Sequence, residues 1–261
     1  MTHVYRGERF EMATSRDSLK ERLRINKAYA SSDFDGWLME RLQVAAGEDV
    51  LDVGCGTGAQ SLLLAKTVSP GGSVSAVDIS VDSVETLNAS LAAEDPVQAI
   101  VGDMTDLQSL IEDQFSVKRY DLAQSSYALY YALDRDAVLE TMKRYLKPGG
   151  RLSIFTPQGP HGLVELAAQY CEIPQPVYDS LRFRDVLDDW FNSNFQSVEV
   201  HEFHNELRIP SADEVLDFYA ATTYYDEGAA QSIREHVEVD IARKGYFEYE
   251  KNGYLVIGRD D

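Results

Sequence analysis

Short apolar runs alternate with amphipathic stretches through the first 156 residues, and that rhythm predicts the fold. Val50-Leu51-Asp52-Val53 is a brief apolar run that reads as a buried strand. Three glycines at alternate positions, Gly54, Gly56 and Gly58, follow at once, and Ala59 to Lys66 then takes helical spacing. After the turn signal Ser69-Pro70-Gly71-Gly72, Ser73 to Asp78 reads as a second strand ending in a carboxylate. A helix from Ser80 to about Ala93, a strand over Val97–Val101 and a strand over Tyr120–Ser126 come next. Asp134 caps a helix through Tyr145, Lys147-Pro148-Gly149-Gly150 breaks it, and Arg151–Phe155 is a fifth strand. Strands and helices alternating at this spacing predict a parallel sheet covered by helices on both faces.

Beyond Thr156 the pattern changes. Thr156 to Gly162 reads as a loop, and residues 163–192 as helical pieces broken by Pro174 and Pro176. Ser197 to Ile209 alternates as one long strand. Ser211-Ala212-Asp213-Glu214 has capping-box spacing and opens a helix to about Tyr225, and another helix spans roughly Glu227 to Arg243. Tyr246–Glu250 and Gly253–Gly258 finish the chain around a turn at Asn252-Gly253, which implies an antiparallel end to the sheet. Ahead of the first strand, two helices are expected, one around Ser18–Ile25 and one from Asp33 to Leu42, and they are placed to lie over the ligand as a lid.

Composition narrows the choices. Lys and Arg number 24 against 44 Asp and Glu, a net charge of −20, and no basic run offsets it. Such a surface repels phosphate backbones, so nucleic acid is excluded as a substrate, and neutral or cationic small molecules are favoured over polyanions. No apolar run approaches a membrane-spanning length, and the polar start Met1-Thr2-His3-Val4-Tyr5-Arg6 has no secretory core, so no membrane partner is expected. With Cys55 and Cys171 as the only cysteines, a disulfide framework is excluded and a reducing cytoplasm is the simplest setting. Cys55 reads as a small turn residue without a neighbouring base or cation to activate it.

The glycine turn is a ligand-binding device, and its neighbours indicate which ligand. Gly54-x-Gly56-x-x-Ala59 with Asp78 downstream satisfies the dinucleotide fingerprint, so an NAD-dependent oxidoreductase is one reading. Asp52, two residues before the turn, opposes a pyrophosphate and instead suits a phosphate-free ligand bearing an ammonium and a sulfonium, which describes S-adenosylmethionine. Asp78 can accept both ribose hydroxyls, Asp103 can accept from an adenine amino group, and Met104 offers an apolar contact. All three acids stand at strand ends on the edge where open α/β sheets bind ligands. Each also has an ordinary use: Asp52 tied to local backbone, Asp78 and Asp103 capping the helices that follow.

The string Val50-Leu51-Asp52-Val53-Gly54-Cys55-Gly56-Thr57-Gly58 resembles motif I of the class I S-adenosylmethionine-dependent methyltransferases. Asp78, Gly102-Asp103-Met104, Tyr120-Asp121-Leu122 and Leu146-Lys147-Pro148-Gly149-Gly150 are similar to its later motifs, over about residues 45–156. The resemblance implies a Rossmann-like seven-stranded mixed sheet, with helices on both faces and an antiparallel last strand. It implies S-adenosylmethionine as cofactor, held by Asp52, Gly54, Cys55, Gly56, Thr57, Gly58, Asp78, Ile79, Asp103, Met104 and Ser125. One domain over 1–261 is expected: N-terminal helices 1–45, a cofactor core 46–156, a helical substrate cap over 157–196 and 210–245, and final strands 197–209 and 246–258.

Methyl transfer from a sulfonium needs alignment of the acceptor and, for some acceptors, removal of a proton. His161 and Tyr127 are the candidate catalytic residues, and Tyr29, Phe34, Tyr130, Tyr131, Tyr224 and Tyr225 the candidate substrate contacts. Trp37 is expected to pack helix on sheet. His201 and His204, three apart on a strand, point to opposite faces, so no metal site is expected. Ser125-Ser126-Tyr127-Ala128 stands where amino-methylating relatives acting on nucleic acids carry an Asn/Asp-Pro-Pro-Tyr string, a departure that favours a small-molecule acceptor. A subunit that binds the cofactor without turnover, or uses it for another reaction, is the remaining reading.

Overall fold

Four of its five residues, three of them apolar, are buried, which makes β1 (Asp49–Val53) the buried centre of the sheet. The computed structural model describes residues 15–260, so the first part of the expected N-terminal lid, 1–14, lies outside the described residues. β1 pairs in parallel with β2 (Ser73–Asp78) and β4 (Tyr120–Ser126), β2 pairs with β3 (Val97–Val101), and β4 pairs with β5 (Leu146–His161). With β6 (Ser197–Phe203), β7 (Glu206–Ile209) and β8 (Phe247–Arg259), the strand order is β3-β2-β1-β4-β5-β8-β6, with β7 on β8. β8 is the antiparallel last strand. The helices are α1 (Arg16–Tyr29), α2 (Phe34–Leu42), α3 (Ala59–Val68), α4 (Val81–Ser90), α5 (Leu107–Asp113) and α6 (Arg135–Arg144). They continue as α7 (Gly162–Ala167), α8 (Gln175–Leu181), α9 (Phe183–Asn194), α10 (Ala212–Ala220) and α11 (Glu227–Lys244).

Two compact units form. The core unit comprises Phe34–Thr156, Asp185–His201 and the chain from Leu255 onward; the cap unit comprises the chain through Asp33, Pro157–Arg184 and Glu202–Tyr254. In the core unit a polar clamp fixes the ends of the strands opposite the glycine turn. Lys147 Nζ lies 2.8 Å from both Asp49 Oδ2 and Asp121 Oδ2, the Asp49 N–H donates to Asp121 Oδ2 (2.7 Å), and Ser73 Oγ donates to Asp49 Oδ1 (2.7 Å). Arg151, almost fully buried, pairs with Glu48 at 2.7 Å and donates to the Leu42 carbonyl at 2.8 Å. A buried guanidinium is tolerable because those partners satisfy its donors. In the cap unit Leu163, Leu207, Ile209, Phe218, Tyr219, Ile233 and Tyr249 are core residues packed around Ile25 of α1.

Five expectations are corrected. The 156–162 segment is not a loop, because β5 runs on to His161. The long strand over 197–209 is two strands, giving eight in all, because Asn205 leaves the ladder to donate its N–H to Asn252 Oδ1 (3.0 Å). The Asn252-Gly253 pair makes no turn: the Lys251 N–H donates to the Asn205 carbonyl at 2.8 Å, and β8 passes straight through. α10 stops at Ala220 rather than Tyr225, since Thr222 Oγ1 donates to the Tyr219 carbonyl (2.7 Å) and the Tyr219 hydroxyl accepts from the Asp226 N–H (2.9 Å). Pro174 and Pro176 do not break a helix but open α8, where a missing N–H costs nothing.

Candidate active site

The turn after β1 can be built only from glycine. Gly54, Gly56 and Gly58 take φ of 78°, 53° and 85°, in the left-handed region that other residues enter at a cost. A Cβ on Gly54 would lie 2.2 Å from the Cβ of Ala128, and one on Gly58 would lie 2.3 Å from Leu87 Cδ1. Ala128 is brought there by Tyr127, itself at φ 57°, whose N–H donates to the Phe155 carbonyl at 3.1 Å. Backbone strain at a tyrosine is a feature of functional loops.

The turn also uses its own amides. The Gly54 and Cys55 N–H groups donate to the Val77 carbonyl (2.8 and 3.1 Å), Gly56 N–H to Asp78 Oδ2 (2.8 Å), and Gly58 N–H to the Cys55 carbonyl (3.0 Å). These four donors therefore point into the protein, unlike the outward amides of a phosphate cradle. The Cys55 thiol packs with Ala76 and Leu87, and burial first, then the Asp52 and Asp78 charges, push it well above its usual range.

Asp52, expected on the ligand edge, is buried beneath the turn. It is 1 % exposed, Ser61 Oγ donates to its Oδ2 (2.5 Å), and Gln124 Nε2 donates to its Oδ1 (2.9 Å). Burial pushes its carboxyl up to about 6, against the two hydrogen bonds that lower it. Ser61 and Gln124 were missed by sequence reasoning. Gln124 faces Asp52 across the β1–β4 register, a signal that appears only once those strands are paired.

Asp78 ends β2 half-buried, with Oδ2 on Gly56 N–H and Oδ1 accepting from the Ser80 N–H at 2.9 Å. Burial raises its carboxyl while those backbone donors lower it. Asp103 Oδ1 accepts from the Thr105 N–H (2.9 Å) and caps a short 3₁₀ turn over Met104–Asp106. Both acids thus do the capping work of the ordinary reading. Ile79 is 47 % exposed beside Asp78, Met104 Cε approaches Gly54, and Ser125 Oγ is buried without a protein partner.

The aromatic candidates divide between the units. In the core unit Phe34 packs on Phe155 (4.6 Å between ring centres) and Tyr127 (5.5 Å), and Trp37 packs on Phe34 and Phe155. Burial pushes the Tyr127 hydroxyl up, which keeps it a neutral phenol. Tyr130 and Tyr131 stack on each other at 4.4 Å in a 3₁₀ turn. In the cap unit the Tyr29 hydroxyl donates to Glu214, Tyr224 belongs to the apolar core, and Tyr225 packs against Tyr219. His161 is buried in the cap unit, and burial, then the Lys251 charge, pushes it down to about 3. At that value the imidazole is neutral near pH 7 and a poor proton acceptor. Among the described residues no group of His, Cys, Asp or Glu could hold a metal ion, and no helix is long and apolar enough to cross a membrane.

Residues 45–209 match the family model described as a methyltransferase domain. Methyltransferase GfsG of Streptomyces halstedii is 33% identical over 117 residues, 45% of this chain and 40% of that protein. Demethylmenaquinone methyltransferase of Staphylococcus aureus is 28% identical over 163 residues, 60% of this chain and 65% of that protein. The matches therefore span less than two thirds of either relative. A Bacillus halodurans C-125 protein provisionally assigned as a methyltransferase superposes with a TM-score of 0.61 at 15% identity, over 87% of this chain and 99% of that one. The YcgJ protein of Bacillus subtilis gives 0.59 at 15% identity, over 87% and 97%. At such identity these structures speak to the fold.

Gly54→Ala is expected to cost about 3 kcal/mol, from overpacking against Ala128 plus left-handed strain. Adding Ala128→Gly should return part of that loss in a denaturant-unfolding double-mutant cycle, whereas simple additivity would contradict the contact. For Asp52 the folded carboxyl sits at about 6 against an ordinary 3.8, so the folded state holds more protons between those values. Stability from this group is full below pH 3.8 and falls as pH rises to 6, by about 3 kcal/mol in all. Unfolding of wild type and Asp52→Asn across pH 4–7 should show that slope in the wild type alone; parallel profiles would contradict it.

Proposed function

The chain belongs to the methyltransferase family, of the class I S-adenosylmethionine-dependent kind, and on that premise we propose that it methylates a small-molecule acceptor. The observation that carries the cofactor assignment is the chemistry of the ligand edge. Four amides of the turn are spent inside the protein, and the groups set at the adjoining strand ends are the acceptors Asp78 and Asp103. A pyrophosphate would meet carboxylates there, while a cationic nucleoside meets complementary acceptors. The oxidoreductase reading of the same glycines loses its support on that point.

The residues fit the group. Asp78 would take the ribose hydroxyls and Asp103 the adenine amino group. Ile79 and Met104 would supply apolar contact, and the buried Ser125 hydroxyl a polar one. Asp52 acts one layer back, holding α3 through Ser61 and β4 through Gln124, and so is a positioning residue. When bound, S-adenosylmethionine supplies a methyl group on a positively charged sulfur that is already a good leaving group. The chain's own contribution is then mainly alignment, since neither Tyr127, pushed up, nor His161, at about 3, is matched to proton removal at neutral pH.

Support for a small acceptor comes from the −20 charge, which disfavours polyanions, nucleic acid and anionic membrane surfaces. A relative named for demethylmenaquinone, itself a small molecule, is in keeping with this. Neutral and cationic acceptors are favoured on the same ground.

Calorimetry is expected to show saturable binding of both S-adenosylmethionine and S-adenosylhomocysteine. Asp78→Asn, which keeps one acceptor oxygen, should weaken both about 10-fold, the worth of a hydrogen bond to a charged group. No heat of binding at millimolar concentration for either compound would contradict the assignment.

A further inference from the structure

The cap unit holds buried polar groups that the cofactor site does not use. His161 ends β5, directly before α7, which it does not cap with its side chain. Its ring is 8 % exposed and Nδ1 has no partner. Tyr249 on β8 is 4 % exposed, its hydroxyl also has no partner, and its ring centre lies 5.9 Å from that of His161. The start of α7 lies close against β8 at this point, because a Cβ on Gly162 would come within 2.8 Å of Tyr249 Cβ. Lys251 follows Tyr249 by two residues, hence on the same face of β8. Its Nζ lies 3.1 Å from Asn26 Oδ1 and 5.4 Å from the centre of the Phe218 ring, which in turn packs on Tyr249 at 6.1 Å. The surrounding walls, Leu163, Leu207 and Phe218 among them, are apolar.

A buried polar atom left without a partner costs about 1–3 kcal/mol. Two such atoms in a largely apolar core are a poor arrangement for stability and a good one for binding. The groups offered are a phenol O–H, an amine and an imidazole, all able to donate to one oxygen. Charge points the same way: burial pushes Lys251 down to about 7 with Arg22 adding to it, and Lys251 in turn helps to lower His161. An arriving negative charge would relieve both effects.

We propose that His161, Tyr249 and Lys251 form a polar subsite of the cap unit that takes one anionic oxygen of a small-molecule ligand, as a carboxylate or a phenolate. This rests on the reading of the chain as a small-molecule methyltransferase. One negative group on an otherwise neutral or cationic molecule is compatible with the acidic surface, where a polyanion is not.

The test is a titration of the full-length protein, with S-adenosylhomocysteine present and again without it, using benzoate, 4-nitrophenolate and benzylamine as probes. Saturable binding of benzoate or of 4-nitrophenolate, without binding of benzylamine, is expected, and the stronger of the two anions identifies the oxygen acid. Tyr249→Phe and Lys251→Met should each weaken that anion about 10-fold at unchanged S-adenosylhomocysteine affinity. Tyr249→Phe should also raise the melting temperature, because it removes an unsatisfied hydroxyl from the core. Binding of benzylamine equal to the anions, binding of neither anion, or a Tyr249→Phe variant with unchanged anion affinity or a lowered melting temperature would overturn the subsite. Failure of S-adenosylhomocysteine to bind would instead overturn the methyltransferase reading, and the titration without it still reports on the subsite.

Discussion

Beneath the glycine turn a single carboxylate accepts from Ser61 on α3 and from Gln124 on β4, so Asp52 on β1 ties three elements together at one buried point. The turn above has little freedom left. Its amides are committed to Val77, Cys55 and Asp78, and Ala128 presses on Gly54 where a side chain would stand. The strained backbone of Tyr127 delivers Ala128 to that position. A buried carboxylate at about 6 is costly, and the hydrogen bonds from Ser61 and Gln124 offset part of that cost.

That arrangement changes what the glycine motif means. Read as spacing alone, Gly54-x-Gly56-x-x-Ala59 is compatible with a phosphate cradle, whose amides must face outward. Here Gly56 N–H is turned onto Asp78 Oδ2 instead. Asp78 and Asp103 each cap local backbone, as the ordinary reading of these acids expects.

Much of the core was legible because its signals are local. β1 to β4, their helices and the three acids at strand ends follow from apolar runs, turn residues and caps such as Ser80 and Asp134. The later half was harder because long-range ladder bonds override local signals. Asn252-Gly253 has the composition of a hairpin turn, yet Asn205 holds it inside β8. Pro157, Gly159 and Pro160 look like a loop, yet β5 continues through them to bury His161. The support residues were hidden for a related reason. Gln124 matters only through its register with Asp52, and Ala128 only through its approach to Gly54, and neither relation has a sequence period. Tyr249 reads as an ordinary strand residue until its burial is known.

The most direct test is a crystal structure of the chain with S-adenosylhomocysteine. The ribose should lie on Asp78 and the adenine by Asp103, with Asp52 still bonded to Ser61 and Gln124 beneath the turn. A nucleoside bound elsewhere, or an Asp52 that leaves Ser61 and Gln124 to contact the ligand directly, would contradict the assignment of the acidic edge as the ligand site and Asp52 as its support.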